Sequence, residues 1–138
     1  MRTMYKVFAV AAFWSLSLNT MGQKRTELQS SIERGKVVFE NTCLACHQAD
    51  ASGVPNLAPP LIKTSFVLGD KTRLINIVLK GLKDVEIDGE RYDNPMPAFD
   101  FLTDSEVADV LTYVRNNFTN KAGGVKAEEV AMVRKSKK

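Results

Sequence analysis

Apolar residues with a helical period first appear over residues 30–42. The chain places three of them on one face: Ile32, Val38 and Phe39. Ser30 or Ser31 can cap the start of this helix. Gly35 lies on or beside the apolar face, although glycine inside a helix costs about 1 kcal/mol relative to alanine. This glycine is therefore either a tolerated defect or the mark of a close contact with a second helix, where a Cβ atom would clash.

Two longer helical patterns follow. Residues 70–81 carry an apolar stripe and end at Gly81, a residue type that commonly terminates helices. Thr103 and Glu106 have the spacing of a capping box, which predicts a helix that begins just before an apolar face. The members of that face are Val107, Val110, Leu111 and Val114. After a pair of glycines, residues 125–137 can form a short final helix.

The segments between these helices are rich in turn-forming residues. Residues 48–65 hold three of the five prolines, which predicts a long ordered loop that covers something. Asp88 and Gly89 lie between alternating residues, the pattern of a two-residue hairpin turn. The whole pattern predicts an all-α fold with three or four helices and long loops. Since the helices alone bury only a thin core, the loops must pack on something that need not be protein.

The length of 138 residues is that of one domain, preceded by a segment of different character. Residues 1–22 have a basic start, a short apolar run and a polar end, which is the layout of a secretory signal. Thr20 and Gly22 are small enough for the last positions before a cleavage site, so Gln23 is the predicted mature start. We therefore expect a signal peptide followed by one domain over residues 23–138. An uncleaved signal would instead anchor the chain, although its apolar run is shorter than the roughly 20 residues of a span.

The formal net charge of +3 is unevenly placed. The domain divides into a core of about residues 30–120 and a basic extension over residues 121–138. A lysine-rich end of this kind is usually solvated, and that is the expectation here. Because the basic excess is small and confined to one end, the sequence argues against a nucleic-acid partner.

Both cysteines of the chain, Cys43 and Cys46, lie beside its only histidine, His47. A disulfide between the cysteines would close a ring too small to add much stability. A structural zinc site needs four ligands, and these three residues leave only a carboxylate for the fourth. A thioredoxin-like dithiol would follow a parallel strand, which the pattern lacks. The remaining interpretation is C-x-x-C-H, the motif of covalent haem attachment.

The spacing of this motif suits haem attachment. Residues three apart on a helical turn face the same side, so Cys43 and Cys46 can both reach the vinyl groups on one edge of a porphyrin. His47 would then lie over the ring plane and ligate the iron. The sequence therefore predicts one covalently bound haem c.

Electron transfer needs a sixth iron ligand, and the chain has no second histidine. Methionine is the soft alternative, and it raises the reduction potential. Met21 would leave with the signal, and Met132 lies in the charged C-terminal segment, where packing is the ordinary role of a methionine. Met96 lies between two prolines on a loop. This placement favours Met96 as the ligand over simple packing against the haem.

Residues 30–134 resemble the monohaem class I c-type cytochromes, the bacterial periplasmic cytochrome c family. The resemblance rests on the stretches "GKVVFENTCLACHQADASGVPNLAPPL", "YDNPMPAF" and "LTDSEVADVLTYVRNNFTNKAGGVKAEEVAMVR". It implies the cytochrome c fold, in which the first and last major helices cross near the haem. Gly35 and Phe39 match the contact positions of the first helix, while Val110 and Tyr113 match those of the last.

The resemblance also assigns a haem pocket. It places on Pro59 the carbonyl group that accepts a hydrogen bond from the proximal histidine, with Pro60 as the one-residue alternative. Leu61 would pack on the ring. Such a bond would fix the orientation of the imidazole and raise its basicity.

The function implied by this resemblance is one-electron transfer in the periplasm, not catalysis. The carrier would be a monomer that docks transiently on a redox partner protein, an oxidase, reductase or dehydrogenase of a respiratory chain. Membrane attachment would require an uncleaved signal. The acidic loop over residues 84–93 either biases docking or is simply solvated. The alternatives are a haem c subunit of a larger oxidoreductase complex and a gas- or peroxide-reactive haem protein.

Overall fold

The computed structural model describes residues 22–23 and 26–136 of the chain. The chain divides into two compact units, Met1–Ser30 and Ser31–Lys138. In the first unit, residues 26–30 are helical. The predicted signal peptide therefore lies outside the described residues, apart from Gly22. Within the described part of the chain, every helix is too short or too polar to cross a membrane.

The second unit is mostly helical, which confirms the predicted all-α fold. Its elements are α1 (31–42), α2 (Leu44–His47), α3 (Ser65–Leu68), α4 (Lys71–Lys80), β1 (Val85–Ile87), β2 (Glu90–Tyr92), α5 (Asp104–Asn116) and α6 (Ala127–Lys135). The predicted cap of the first helix is wrong, because the residues before Ser31 are already helical. The Ser31 hydroxyl instead donates to the Asp109 carboxylate on α5, at 2.6 Å.

The local signals for α4, α5 and the hairpin are confirmed. Asp70 caps α4, where its carboxylate accepts from the Arg73 N–H at 2.7 Å. Thr103 and Glu106 form the predicted capping box at the start of α5. Strands β1 and β2 pair antiparallel on either side of Asp88-Gly89, both of which have positive φ as the two-residue turn requires.

The crossing of α1 and α5 organises the core. A Cβ atom added to Gly35 would lie 1.9 Å from the Asp109 carbonyl oxygen and 2.8 Å from Tyr113 Cβ, so the backbones touch there. Phe39, Tyr113 and Phe118 form a triangle of rings with centroid separations of 5.4 to 5.5 Å. The close-contact interpretation of Gly35 is therefore confirmed, and the contact sets how α1 is presented to the rest of the unit.

The lysine-rich C-terminal segment packs on the core, so the expectation that it is solvated is wrong for residues 125–134. Its valines are buried: Val125, Val130 and Val133. The Thr112 hydroxyl on α5 donates to the Val125 carbonyl oxygen and accepts from the Val125 N–H. Arg134 on α6 pairs with Asp104 at 2.6 Å. The net charge of this segment is basic, but the apolar side chains between the charges decide its structure.

A buried arginine joins three segments of this unit. Arg115 on α5 is 4% exposed and donates to the carbonyl oxygens of Val67, Gly69 and Gly123. Burial lowers the pKa of Arg115 from its ordinary value. Three carbonyl groups, rather than a carboxylate, solvate this cation, and they fix the α3–α4 junction against the end of α5.

Candidate functional site

The cysteines and the histidine lie where α1 passes into α2. The Cys43 N–H donates to the Phe39 carbonyl oxygen at 2.9 Å, and the His47 N–H donates to the Cys43 carbonyl oxygen at 3.0 Å. The motif therefore follows helical geometry, as the i, i+3 argument requires. Cys43 is half-buried, Cys46 is exposed, and neither is in a disulfide. Burial raises the pKa of the Cys43 thiol.

The imidazole of His47 is buried, 7% exposed, and its protonation follows from its contacts. Its Nδ1 lies 2.9 Å from the carbonyl oxygen of Pro59. Since a carbonyl oxygen only accepts, Nδ1 must carry the hydrogen, which leaves a lone pair on Nε2 of the neutral ring. Burial lowers the pKa of His47, and the hydrogen bond to Pro59 opposes this only in part. The ring is thus held neutral and ready to act as a ligand.

Backbone hydrogen bonds bring Pro59 back to His47. The Gly53 N–H donates to the His47 carbonyl oxygen at 3.1 Å, and Val54 pairs with Ala58 in a short antiparallel bridge. The Leu61 N–H then donates to the Ala51 carbonyl oxygen at 2.9 Å. The loop after α2 is therefore ordered, as predicted, and it returns its proline to the helix that it left.

Asn120 fixes the far end of this loop, and sequence reasoning missed it. Its side-chain amide is 3% exposed and donates to the carbonyl oxygens of Leu61 and Val114, while its Oδ1 accepts from the Lys63 N–H. An asparagine three residues before a pair of glycines resembles an ordinary turn residue, so no motif marks this role. The bonds connect the end of α5 to the chain only two residues from Pro59.

Replacing Asn120 by alanine should lower the free energy of unfolding by about 2 kcal/mol. The change removes the side-chain partner of one buried carbonyl group, one partly buried carbonyl group and one partly buried N–H, and each such loss is costly. Asn116→Ala is the matched control, because Asn116 donates only to the Thr112 carbonyl oxygen within its own helix. Denaturant unfolding of both variants measures the difference. Equal destabilisation of the two would mean that Asn120 does not hold the loop.

Met96 reaches the same region from the segment that follows the hairpin. Its N–H donates to the Leu82 carbonyl oxygen at 2.8 Å, and its carbonyl oxygen accepts from the Leu82 N–H at 3.1 Å. Pro95 and Pro97 flank it, and its side chain is half-buried. Met132, the other candidate, lies on α6 and is 62% exposed.

A single cleft brings these groups together. It has a volume of about 140 Å³ and opens onto solvent. Its lining residues are Thr42, Cys43, Cys46, His47, Leu57, Ala58, Asn94, Pro95, Met96, Pro97 and Phe99. Leu61 is not among them, since it is partly buried against the core. Pro59 contributes through its carbonyl group to His47.

The groups in the cleft suit a covalently held porphyrin. Two free thiols one helical turn apart lie beside an imidazole with a free lone pair, and a thioether sulfur comes from a separate loop. Among the described residues, no three His, Cys, Asp or Glu side chains converge as ligands for a metal ion, and this includes the cysteines with His47. These described residues therefore do not supply the four protein ligands of a structural zinc site.

Comparison with known proteins also indicates a protein that holds a haem group covalently. The sequence model of the family described as Cytochrome c matches residues 32–118. The chain is 34% identical to cytochrome c-552 of Thermus thermophilus over 105 residues, which are 69% of this chain and 80% of that protein. It is 36% identical over 107 residues to the gluconate 2-dehydrogenase cytochrome c subunit of Pantoea cypripedii.

The dehydrogenase relatives are much longer than the matched region. The alignment covers 75% of this chain but only 24% of the Pantoea subunit. For the cytochrome c subunit of the quinone alcohol dehydrogenase of Gluconobacter oxydans (strain 621H), the identity is 33% over 103 residues, 72% of this chain and 22% of that subunit. This chain thus corresponds to under a quarter of those subunits.

Proposed function

Because this chain belongs to the cytochrome c family, whose members carry covalently attached haem c, we propose that it is an exported one-electron carrier with His47 and Met96 as axial ligands. The observation that supports the proposal is the cleft itself. It gathers Cys43, Cys46 and His47 from one helical turn and Met96 from a loop some fifty residues away. Haem c bound there supplies an iron that cycles between two oxidation states.

Each of the motif residues would have a distinct role. Cys43 and Cys46 would hold the porphyrin through thioethers, which prevent loss of the group. His47 would provide Nε2, because its Nδ1–H is engaged with Pro59 at 2.9 Å. This hydrogen bond fixes the tautomer and the orientation of the ring, and it raises the basicity of the ligating nitrogen.

Met96 would provide the second axial ligand through its thioether sulfur. A methionine ligand raises the reduction potential relative to a second histidine. If His47 and Met96 both bound the iron, the protein would leave no position on it for a substrate. A low-spin carrier therefore fits the residues better than a gas- or peroxide-reactive enzyme.

The optical spectrum of the haem-loaded protein tests this proposal. We expect low-spin spectra in both oxidation states, a reversible one-electron titration, and ferrous protein that binds carbon monoxide weakly. We expect these results because two protein side chains would bind the iron. High-spin ferrous protein that binds carbon monoxide readily would contradict the assignment of Met96. The cell fraction that holds the protein tests export.

The partner of the carrier would be another redox protein. The relatives of this chain include the cytochrome c subunits of a gluconate 2-dehydrogenase and of a quinone alcohol dehydrogenase. They also include the CcoP subunit of a cbb3-type cytochrome c oxidase. These names support a dehydrogenase or an oxidase as donor or acceptor, with transient docking of a monomeric carrier. Purification with a partner in fixed stoichiometry would instead support a permanent subunit of such a complex.

A further inference from the structure

Residues just after α4 lie against the segment that carries Met96. Leu82 exchanges both of its backbone hydrogen bonds with Met96. Three residues further on, the Phe99 N–H donates to the Val78 carbonyl oxygen on α4 at 2.8 Å. The residues on both sides of Pro97 are thus hydrogen-bonded to the C-terminal end of α4 or to the chain just after it. We call residues 78–82 the α4 clamp.

Gly81 is the point of closest approach in the α4 clamp. A Cβ atom added there would lie 2.4 Å from the Met96 carbonyl oxygen. It would also lie 3.1 Å from both the Pro97 carbonyl carbon and the Ala98 nitrogen. All three atoms belong to backbone, which cannot move aside as a flexible side chain does. A side chain at this position would therefore displace the methionine segment itself.

The conformation of Gly81 adds a second requirement for glycine. Its φ is +75°, in the region that L side chains rarely adopt. This conformation ends α4 and turns the chain so that Leu82 can pair with Met96. The Gly81 N–H still donates to the Ile77 carbonyl oxygen at 2.8 Å, so the helix keeps its last bond through the turn.

From this geometry we infer that Gly81 is a positioning residue that sets the approach of Met96 to the iron. The inference rests on the proposed axial role of Met96. A methionine on a loop is free to leave a metal, and it stays bonded only if its backbone is held at the correct distance. The α4 clamp provides that restraint through three backbone hydrogen bonds and through the close contact of Gly81 with the backbone of residues 96–98.

The test compares Gly81→Ala with Gly89→Ala in the haem-loaded full chain. Gly89 also has positive φ, +88°, but its added Cβ would meet nothing within 4 Å. Both variants carry the same kind of backbone strain, and only Gly81→Ala adds an atom that clashes with the backbone of the methionine segment. The readouts are the methionine–iron absorption band of the ferric protein and the carbon monoxide affinity of the ferrous protein.

For Gly81→Ala we expect a weakened methionine–iron band and about tenfold tighter carbon monoxide binding, a ratio equivalent to about 1.4 kcal/mol. For Gly89→Ala we expect the spectrum and affinity of the parent protein. Equal changes in both variants, or no change in Gly81→Ala, would overturn the inference. Should Gly81→Ala not fold, Gly81→Asn repeats the test, because asparagine tolerates positive φ while still adding a Cβ atom.

The parent protein separates this inference from the proposed function. If the parent lacks the methionine–iron band, Met96 is not a ligand, and the proposed function and the inference both fail. If the parent has the band and Gly81→Ala retains it at full strength, only the inference about Gly81 fails.

Discussion

Replacing Met96 by alanine should remove one protein ligand from the iron of the haem-loaded protein. We expect a shift to high-spin ferrous spectra, rapid binding of carbon monoxide and a lower reduction potential. Axial ligands set haem potentials over a range of about 0.8 V, so the loss of a methionine should lower the potential by on the order of 0.1 V or more. Optical spectroscopy and a redox titration measure both effects.

Met132→Ala is the matched control for this prediction. Its side chain is 62% exposed on α6, so its removal should leave the spectrum and the potential unchanged. The two variants remove the same atoms from the same residue type. If Met132→Ala gave the high-spin ferrous spectrum and Met96→Ala did not, the ligand would be Met132 and not Met96. If neither did so, neither Met96 nor Met132 would be a ligand.

Replacing Gly35 by alanine should destabilise the fold by about 3 kcal/mol or more. The added Cβ atom would lie 1.9 Å from the Asp109 carbonyl oxygen, so α1 and α5 must move apart. Overpacking of a tight core typically costs about 1–3 kcal/mol, and here the obstacle is rigid helix backbone. Separation would also strain the paired bonds from Arg34 to the Asp109 carboxylate at 2.6 and 2.9 Å.

Gly123→Ala provides the comparison for Gly35→Ala. A Cβ atom at Gly123 would meet nothing within 4 Å. We therefore expect a change below about 1 kcal/mol, and alanine can even stabilise the fold by restricting the unfolded chain. Chemical unfolding of the haem-loaded variants measures both. Similar midpoints for the two variants would show that α1 and α5 are not in contact at Gly35.

The features that the sequence predicted well are those with local causes. The α5 capping box needs only Thr103 and Glu106, and the hairpin needs only a turn pair between alternating residues. The Gly35 contact was also predictable, because a glycine beside an apolar helical face leaves room for a second backbone to approach. For Cys43, Cys46 and His47, the residue types and the spacing of the C-x-x-C-H motif were enough to predict that they share one site.

The features that the sequence did not reveal depend on partners far along the chain. Asn120 bonds to Leu61, and Leu82 pairs with Met96, but neither residue differs locally from a common turn or helix-end residue. The composition of α6 was also misleading, because charged neighbours masked the two buried valines Val130 and Val133. Ser31 resembled a cap because its true partner, Asp109, lies on another helix.

The distance along the chain between α1 and its partner helix has a consequence for the order of events during synthesis. The helix that carries Gly35 packs against residues 109–113, which follow it by more than seventy positions. Contacts of such long range form only after the distant segment exists. As the chain emerges N-terminus first, Cys43 and Cys46 are therefore presented well before α5 can close over α1. The thiols can therefore meet a bulky planar group before the α1–α5 contact fixes the helix that leads into them.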